Sequence, residues 1–146
     1  MKMKLIQVKV AELLREDPWL SGHGYAPLCE DLGDVQSQLE QNLQRLKCGL
    51  LVQTPGFDVS SKASKVMVGN ARITVRAVEN VVDNRRRPDC GTAQDAAEAA
   101  AWALNLASVP GVGTLVVKSV DSSLPDQRTL AYDVRLEVQT TLAGPA

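Results

Sequence analysis

Thr129-Leu130-Ala131-Tyr132-Asp133-Val134-Arg135-Leu136-Glu137-Val138-Gln139-Thr140-Thr141 is the stretch that decides the fold. Leu130, Tyr132, Val134, Leu136 and Val138 alternate with Ala131, Asp133, Arg135, Glu137 and Gln139. Successive side chains of a strand point to opposite faces, so the alternation describes one long strand with a buried face and a wet face. That pattern belongs to an antiparallel sheet covered on one side. The strand at 115 to 120, which also follows the alanine-rich helix, is expected to pair with it as a hairpin, and residues 66 to 79 are a second strong strand signal. There Ile73, Val75 and Ala77 point one way and Arg72, Thr74 and Arg76 the other, with Gly69-Asn70 as a bulge or turn inside the stretch.

Outward from these two signals, residues 49 to 54 and 115 to 120 read as shorter strands. Pro55-Gly56 is a turn, and residues 57 to 65 are polar and read as a loop. Residues 3 to 16 carry Ile6, Val10, Leu13 and Leu14 at helical spacing, and Pro18 closes that helix. Residues 19 to 31 hold Gly22, Gly24 and Pro27 and read as a long loop. Asp34 caps a second helix over 35 to 47, with Val35, Leu39, Leu43 and Leu46 on one face. Residues 84 to 91 form a charged loop. Thr92 and Asp95 make a capping box for a helix over 93 to 107, eight of whose fifteen residues are alanine. Residues 110 to 113 and 122 to 127 are turns. The expected fold is α+β, a mainly antiparallel sheet with helices packed on one face, in the order α-α-β-β-α-β-β.

The chain has 146 residues, which corresponds to a single domain over 1–146. Apolar residues make up 45%, charged residues 23% and aromatics 3%, so the core is built from aliphatic side chains rather than rings. That scarcity removes a stacking platform for bases, and a net charge of −1 removes general nucleic-acid coating. Three cysteines without paired spacing do not make a disulfide framework, and a reducing cytosol is expected. No apolar run is long enough to span a membrane, and the first ten residues lack the features of a signal peptide.

The chemical inventory is thin. Cys29, Cys48, Cys90 and His23 are the metal-type donors, but no close pair presents two ligands from one turn, so they read as isolated thiols and a loop histidine. His23 and Cys29 share a loop, yet nothing in their spacing aligns a base with a nucleophile. The acids Glu16, Asp17, Glu30, Asp31 and Asp34 read as caps and solvated turns. Gly111-Val112-Gly113 lacks the lysine and hydroxyl of a phosphate loop. Two features leave partners open. Arg85-Arg86-Arg87 places three guanidiniums in one loop, which reads either as a solvated basic turn or as a contact for an acidic protein neighbour or passing DNA. Trp102 lies off the alanine stripe of its helix, where it either covers a core edge or anchors a subunit contact.

The order of elements and several local phrases resemble a known group of proteins. The phrases are Cys48-Gly49-Leu50-Leu51-Val52 before Pro55-Gly56, Ile73-Thr74-Val75-Arg76-Ala77-Val78-Glu79-Asn80, then Asn84-Arg85 and Gly91-Thr92 leading into the alanine-rich helix. With the terminal strand holding Tyr132, this layout resembles the tail-completion proteins of long-tailed phages and prophages, the tail terminators and related minor tail proteins. The resemblance implies a structural role without catalysis or cofactor. It implies a ring of copies, commonly six, that caps the tail tube and meets head-completion proteins, with DNA at most passing through. Its place would be the host cytoplasm during assembly and then the virion tail. Trp19, Tyr25, Arg85, Arg86, Arg87 and Trp102 are the candidate partner-binding residues, and the loops at 18–33, 56–65 and 84–91 the candidate contact regions. The competing readings are a cellular α+β module that binds a ligand or regulates a partner, and a small enzyme acting through His23 or Cys29.

Arg86→Glu is expected to leave thermal unfolding unchanged while weakening assembly with tail or head partners, as read by an infectivity or in vitro joining assay. Normal joining by this variant would contradict the role given to the arginine loop.

Overall fold

The computed structural model describes residues 1–30, 35–45, 47–63, 65–84, 91–123 and 128–143. In chain order the elements are α1 (Lys2–Glu16), α2 (Pro18–Gly22), β1 (Pro27–Cys29), α3 (Val35–Arg45), β2 (Cys48–Val52), β3 (Gly56–Ala63) and β4 (Val66–Asn80). They continue with α4 (Val81–Asn84), α5 (Ala93–Leu104), β5 (Ser108–Val109), β6 (Gly113–Thr114), β7 (Val116–Ser123) and β8 (Thr129–Ala143). The main sheet runs β1-β2-β4-β8-β7, and β3 also pairs with β4. Every pairing in it is antiparallel except β1 with β2.

The two strands singled out from their alternation are the centre of that sheet. β4 and β8 are 15 residues each and pair without a slip from Val66↔Ala143 to Asn80↔Thr129. Ala71, Ile73, Val75 and Ala77 of β4 lie on the same face as Val134, Leu136 and Val138 of β8, and all are buried. α1 and α5 cover this face. Ile6, Val10 and Leu14 come down from α1, and Ala96, Ala97, Ala100 and Leu104 from α5. Alanine on the inner side of α5 lets the helix lie close to the sheet, because little side-chain volume stands between the two backbones.

The α+β class and the antiparallel centre are as the patterning indicates. The one-sided helical layer holds for α1 and α5, whereas α3 lies against the opposite face. Its Leu39 packs with Val78 and Ala131, which sit one residue out of phase with the main core. Gly49 makes room for it, since a Cβ at that position would come within 2.6 Å of Leu39 Cδ1.

Other local departures have clear causes. Pro18 does end α1, but it also starts α2, because Asp17 accepts a hydrogen bond from Leu20 N–H at 3.0 Å and caps the new turn. The stretch after it holds β1 as well as α2, so residues 18–29 are not a continuous loop. Residues 56–63, read as part of a loop from their polarity, form β3. Asp58, Val59, Ser60, Ser61 and Lys62 are all exposed, so this strand has no apolar face to announce it and is held by its ladder to β4. The irregularity assigned to Gly69-Asn70 sits across the ladder, between Val59 and Ser61 of β3, while β4 runs straight through. Gly69 serves that bulge by close approach, as a Cβ there would lie 2.0 Å from the Asp58 carbonyl oxygen. α5 ends at Leu104 rather than 107, where the chain reverses through Leu106 at φ +63° and Leu106 N–H donates to Leu115 O. The Asp34 cap, Leu46 and the turn at 124–127 lie outside the described residues.

Gly69→Ala is expected to destabilise the protein by about 1–3 kcal/mol, because a side chain would be driven into backbone. Gly22→Ala, with nothing within 4 Å of its Cβ, is the control and leaves the urea midpoint in place.

Candidate interaction surface

Most of the residues nominated for chemistry turn out to be tied up in structure. The His23 imidazole stacks on the Trp19 indole at 4.1 Å, and its Nδ1 lies 2.7 Å from the Trp19 carbonyl oxygen, an arrangement in which the ring nitrogen donates. Cys48 is buried and its thiol donates to the carbonyl oxygens of His23 and Gly24, each at 3.6 Å. Cys29 is buried as well. Among the described residues no group of three or more His, Cys, Asp or Glu side chains converges to hold a metal. Cys90, Asp31 and Asp34 lie outside those residues.

Tyr25, expected as a surface anchor, is 0% exposed. Its ring belongs to the main core, and its hydroxyl donates to Gly91 O at 2.9 Å. Trp19 is half-buried beside it, with ring centroids 6.0 Å apart. The Trp19 indole occupies the space that a side chain at Gly91 would need, since a Cβ there would come within 2.2 Å of it. This cluster fastens the entry to α5. Thr92 caps the helix by accepting from Asp95 N–H, and the buried Glu79 carboxylate at the end of β4 accepts from Ala93 N–H at 3.0 Å. A carboxylate at a helix N-terminus also meets the favourable end of the helix dipole. Arg85, Arg86 and Arg87 lie outside the described residues, between β4–α4 and this fastened entry.

The wet face of the sheet is an ion-pair ladder. Arg76 and Asp133 stand opposite each other in register, and Arg76 donates from Nε and Nη2 to the two carboxylate oxygens at 2.7 and 3.0 Å. Those hydrogen bonds, with the charges of Asp133 and Glu30, raise Arg76 above its ordinary pKa against the opposing effect of burial. Arg135 pairs with Asp121 at 2.5 Å, Lys118 with Glu137 at 3.9 Å and Arg72 with Asp58 at 2.5 Å. These charges satisfy one another within the chain.

The open surface lies on the other side, between α5 and β7. A cleft of about 530 Å³ has Ala101 and Trp102 of α5 on one wall and Val117, Val120 and Tyr132 of the sheet on the other. Gln94, Glu98 and Asn105 complete the lining. Trp102 is 77% exposed, and Leu106 and Val120 nearby are exposed too. Asn105 accepts from Val117 N–H at 3.1 Å and pins the end of α5 to the start of β7. β7 is the last strand of the sheet on this side. Val117 and Val120 are three residues apart, yet both share the core-side face, because a bulge between Val117 and Ser119 absorbs one residue. That Trp102 stands off the apolar stripe was legible, and the residues facing it across the cleft were not.

No family model matches the sequence, and no curated protein matches it. Solved structures do. A chain of the structure described as "Virion of native gene transfer agent (GTA) particle" matches with a TM-score of 0.63 at 13% sequence identity, over 94% of this chain and 95% of that chain. The two chains share one fold. The shared architecture runs through essentially the full length of both.

Trp102→Ala is expected to leave unfolding free energy within about 0.5 kcal/mol of the parent, as for a surface substitution. Leu104→Ala, two residues on and fully buried, is expected to cost about 2–5 kcal/mol. Chemical denaturation of the two variants checks the assignment of inner and outer faces to α5.

Proposed function

We propose that this chain is a structural component of a phage-like particle and completes its tail. In this reading copies of the chain close into a ring, six in the commonest arrangement of the proteins it resembles, and the ring caps the tail tube. One side of the ring meets the last layer of tube protein and the other meets head-completion proteins, with DNA passing through the centre. The observation that carries the reading is the fold shared with a chain of the gene transfer agent virion over nearly the full length of both. The layout of the sequence, which resembles tail-completion proteins, points the same way independently.

The physics of such a role is complementarity of shape. A closed ring needs one patch of each subunit to fit a different patch of the next. A rigid sheet then holds the contact surfaces in fixed relation. The β4–β8 pair provides the rigidity here, and Trp102, the cleft beside it and Arg85–Arg87 are the surfaces offered to partners. Trp19 acts inside the subunit by securing the base of the arginine segment.

A ligand-binding module is the second reading, and the cleft between α5 and β7 favours it, since about 530 Å³ falls in the range of small-molecule sites. Its wall at Trp102 is too exposed to enclose a ligand as such sites do.

Deleting the gene in a particle-producing strain is expected to give heads and tails that remain unjoined, or tails of irregular length, in negative-stain micrographs. Peptides of this chain are expected in purified parental particles by mass spectrometry. Particles of normal form and infectivity from the deletion strain would overturn the proposal.

A further inference from the structure

We infer that the cleft between α5 and β7 receives the outer face of α1 from a second copy of this chain. The inference rests on the ring reading and names its interface.

α1 has two apolar faces where a surface helix needs one. Ile6, Val10 and Leu14 are spent on the core of their own subunit. Met1, Leu5 and Val8 follow at i, i+4 and i+7 on the outside, and all are exposed. That spacing is how a helix presents anchors to an apolar groove. The cleft is such a groove, with Trp102, Val117, Val120 and Tyr132 as its apolar walls.

Charge selects this occupant. α1 carries Lys2, Lys4, Lys9 and Arg15 against Glu12 and Glu16, with Lys9 lying 3.8 Å from Glu12 and Lys2 donating to Thr141 O. α5 carries Asp95 and Glu98 and no base. Glu98 lines the cleft, and Lys4 adjoins the Leu5–Val8 stripe on an exposed position of α1. Opposite charges around an apolar contact set its register and exclude wrong orientations.

α1 packs over β1 and β2 and against α5, and its Lys2 donates to Thr141 O of β8, while the cleft lies between α5 and β7. The contact joins unlike surfaces. Passed from copy to copy, it gives a ring if the rotation closes and a filament if it does not, whereas two copies exchanging α1 reciprocally would stop at a dimer.

The test is sedimentation equilibrium of the full chain and of Lys4→Glu, Glu98→Lys and the double variant, with circular dichroism to establish folding. The parent is expected to associate into species larger than a dimer at concentrations up to about 1 mM. Each single reversal should weaken association about tenfold and the double variant should recover most of the loss, as for a specific cross-interface charge pair. Leu5→Asp should abolish association, and the emission of Trp102 should shift to the blue as the parent associates. A chain that stays monomeric throughout overturns the inference, as does association indifferent to Leu5→Asp and both reversals, or losses that the double variant fails to restore. The particle deletion experiment decides the ring reading separately, because a ring could close through other surfaces.

Discussion

Everything in this protein is placed by the register between β4 and β8. Fifteen residues of each strand pair without interruption, so the inward and outward sides of both are set together. A slip of one residue would turn Val134, Leu136 and Val138 to water and bring Asp133, Arg135 and Glu137 against the helices. The slip is opposed from both sides of the sheet. On the core side, α1 and α5 accept only the aliphatic face. On the wet side, Arg76 meets both oxygens of Asp133 only when the two stand directly opposite. An isolated ion pair at a surface stabilises little, but a two-point guanidinium–carboxylate contact is geometrically demanding and therefore discriminates well between registers.

α5 converts that frame into a surface. Its inner side is small, so the helix sits low on the sheet, and its ends are fixed by Glu79 and Thr92 at one terminus and Asn105 at the other. The outer side then faces β7 across an open gap, and Trp102 has no larger neighbour on its own helix to cover it. The exposed tryptophan is thus a product of the same alanine-rich composition that makes the core thin. On the sheet's opposite face the described charges are matched in pairs.

The long strands, α1, and the capped start of α5 were legible because each carries a period that burial enforces. β8 alternates over its whole buried length, and Thr92 and Asp95 mark the helix entry. Polarity hid β3, whose side chains face water on both sides, and brevity hid β1 and α2. The candidate surface was half legible. Trp102 stood off the apolar stripe of its helix, but the walls opposite it depend on a bulge that puts Val117 and Val120 on one face at odd spacing. Tyr25 misled for a related reason. A tyrosine among glycines and prolines suggests an exposed loop, and only the fold reveals that its hydroxyl reaches Gly91, 66 positions away. The placement of α3 on the far face rests on Val78 and Ala131, which interrupt the wet pattern of their strands too briefly to stand out.

The fastening around Gly91 has a mechanical consequence. The arginine segment is tethered at one end to the close of the longest ladder in the molecule, and at the other to a backbone carbonyl gripped by a buried phenol. Glu79, next to the first tether, also holds Ala93, just beyond the second. β4 and the start of α5 are therefore tied to each other directly, independently of the residues that run between them, so a change in the length of that connection would leave their relative placement intact.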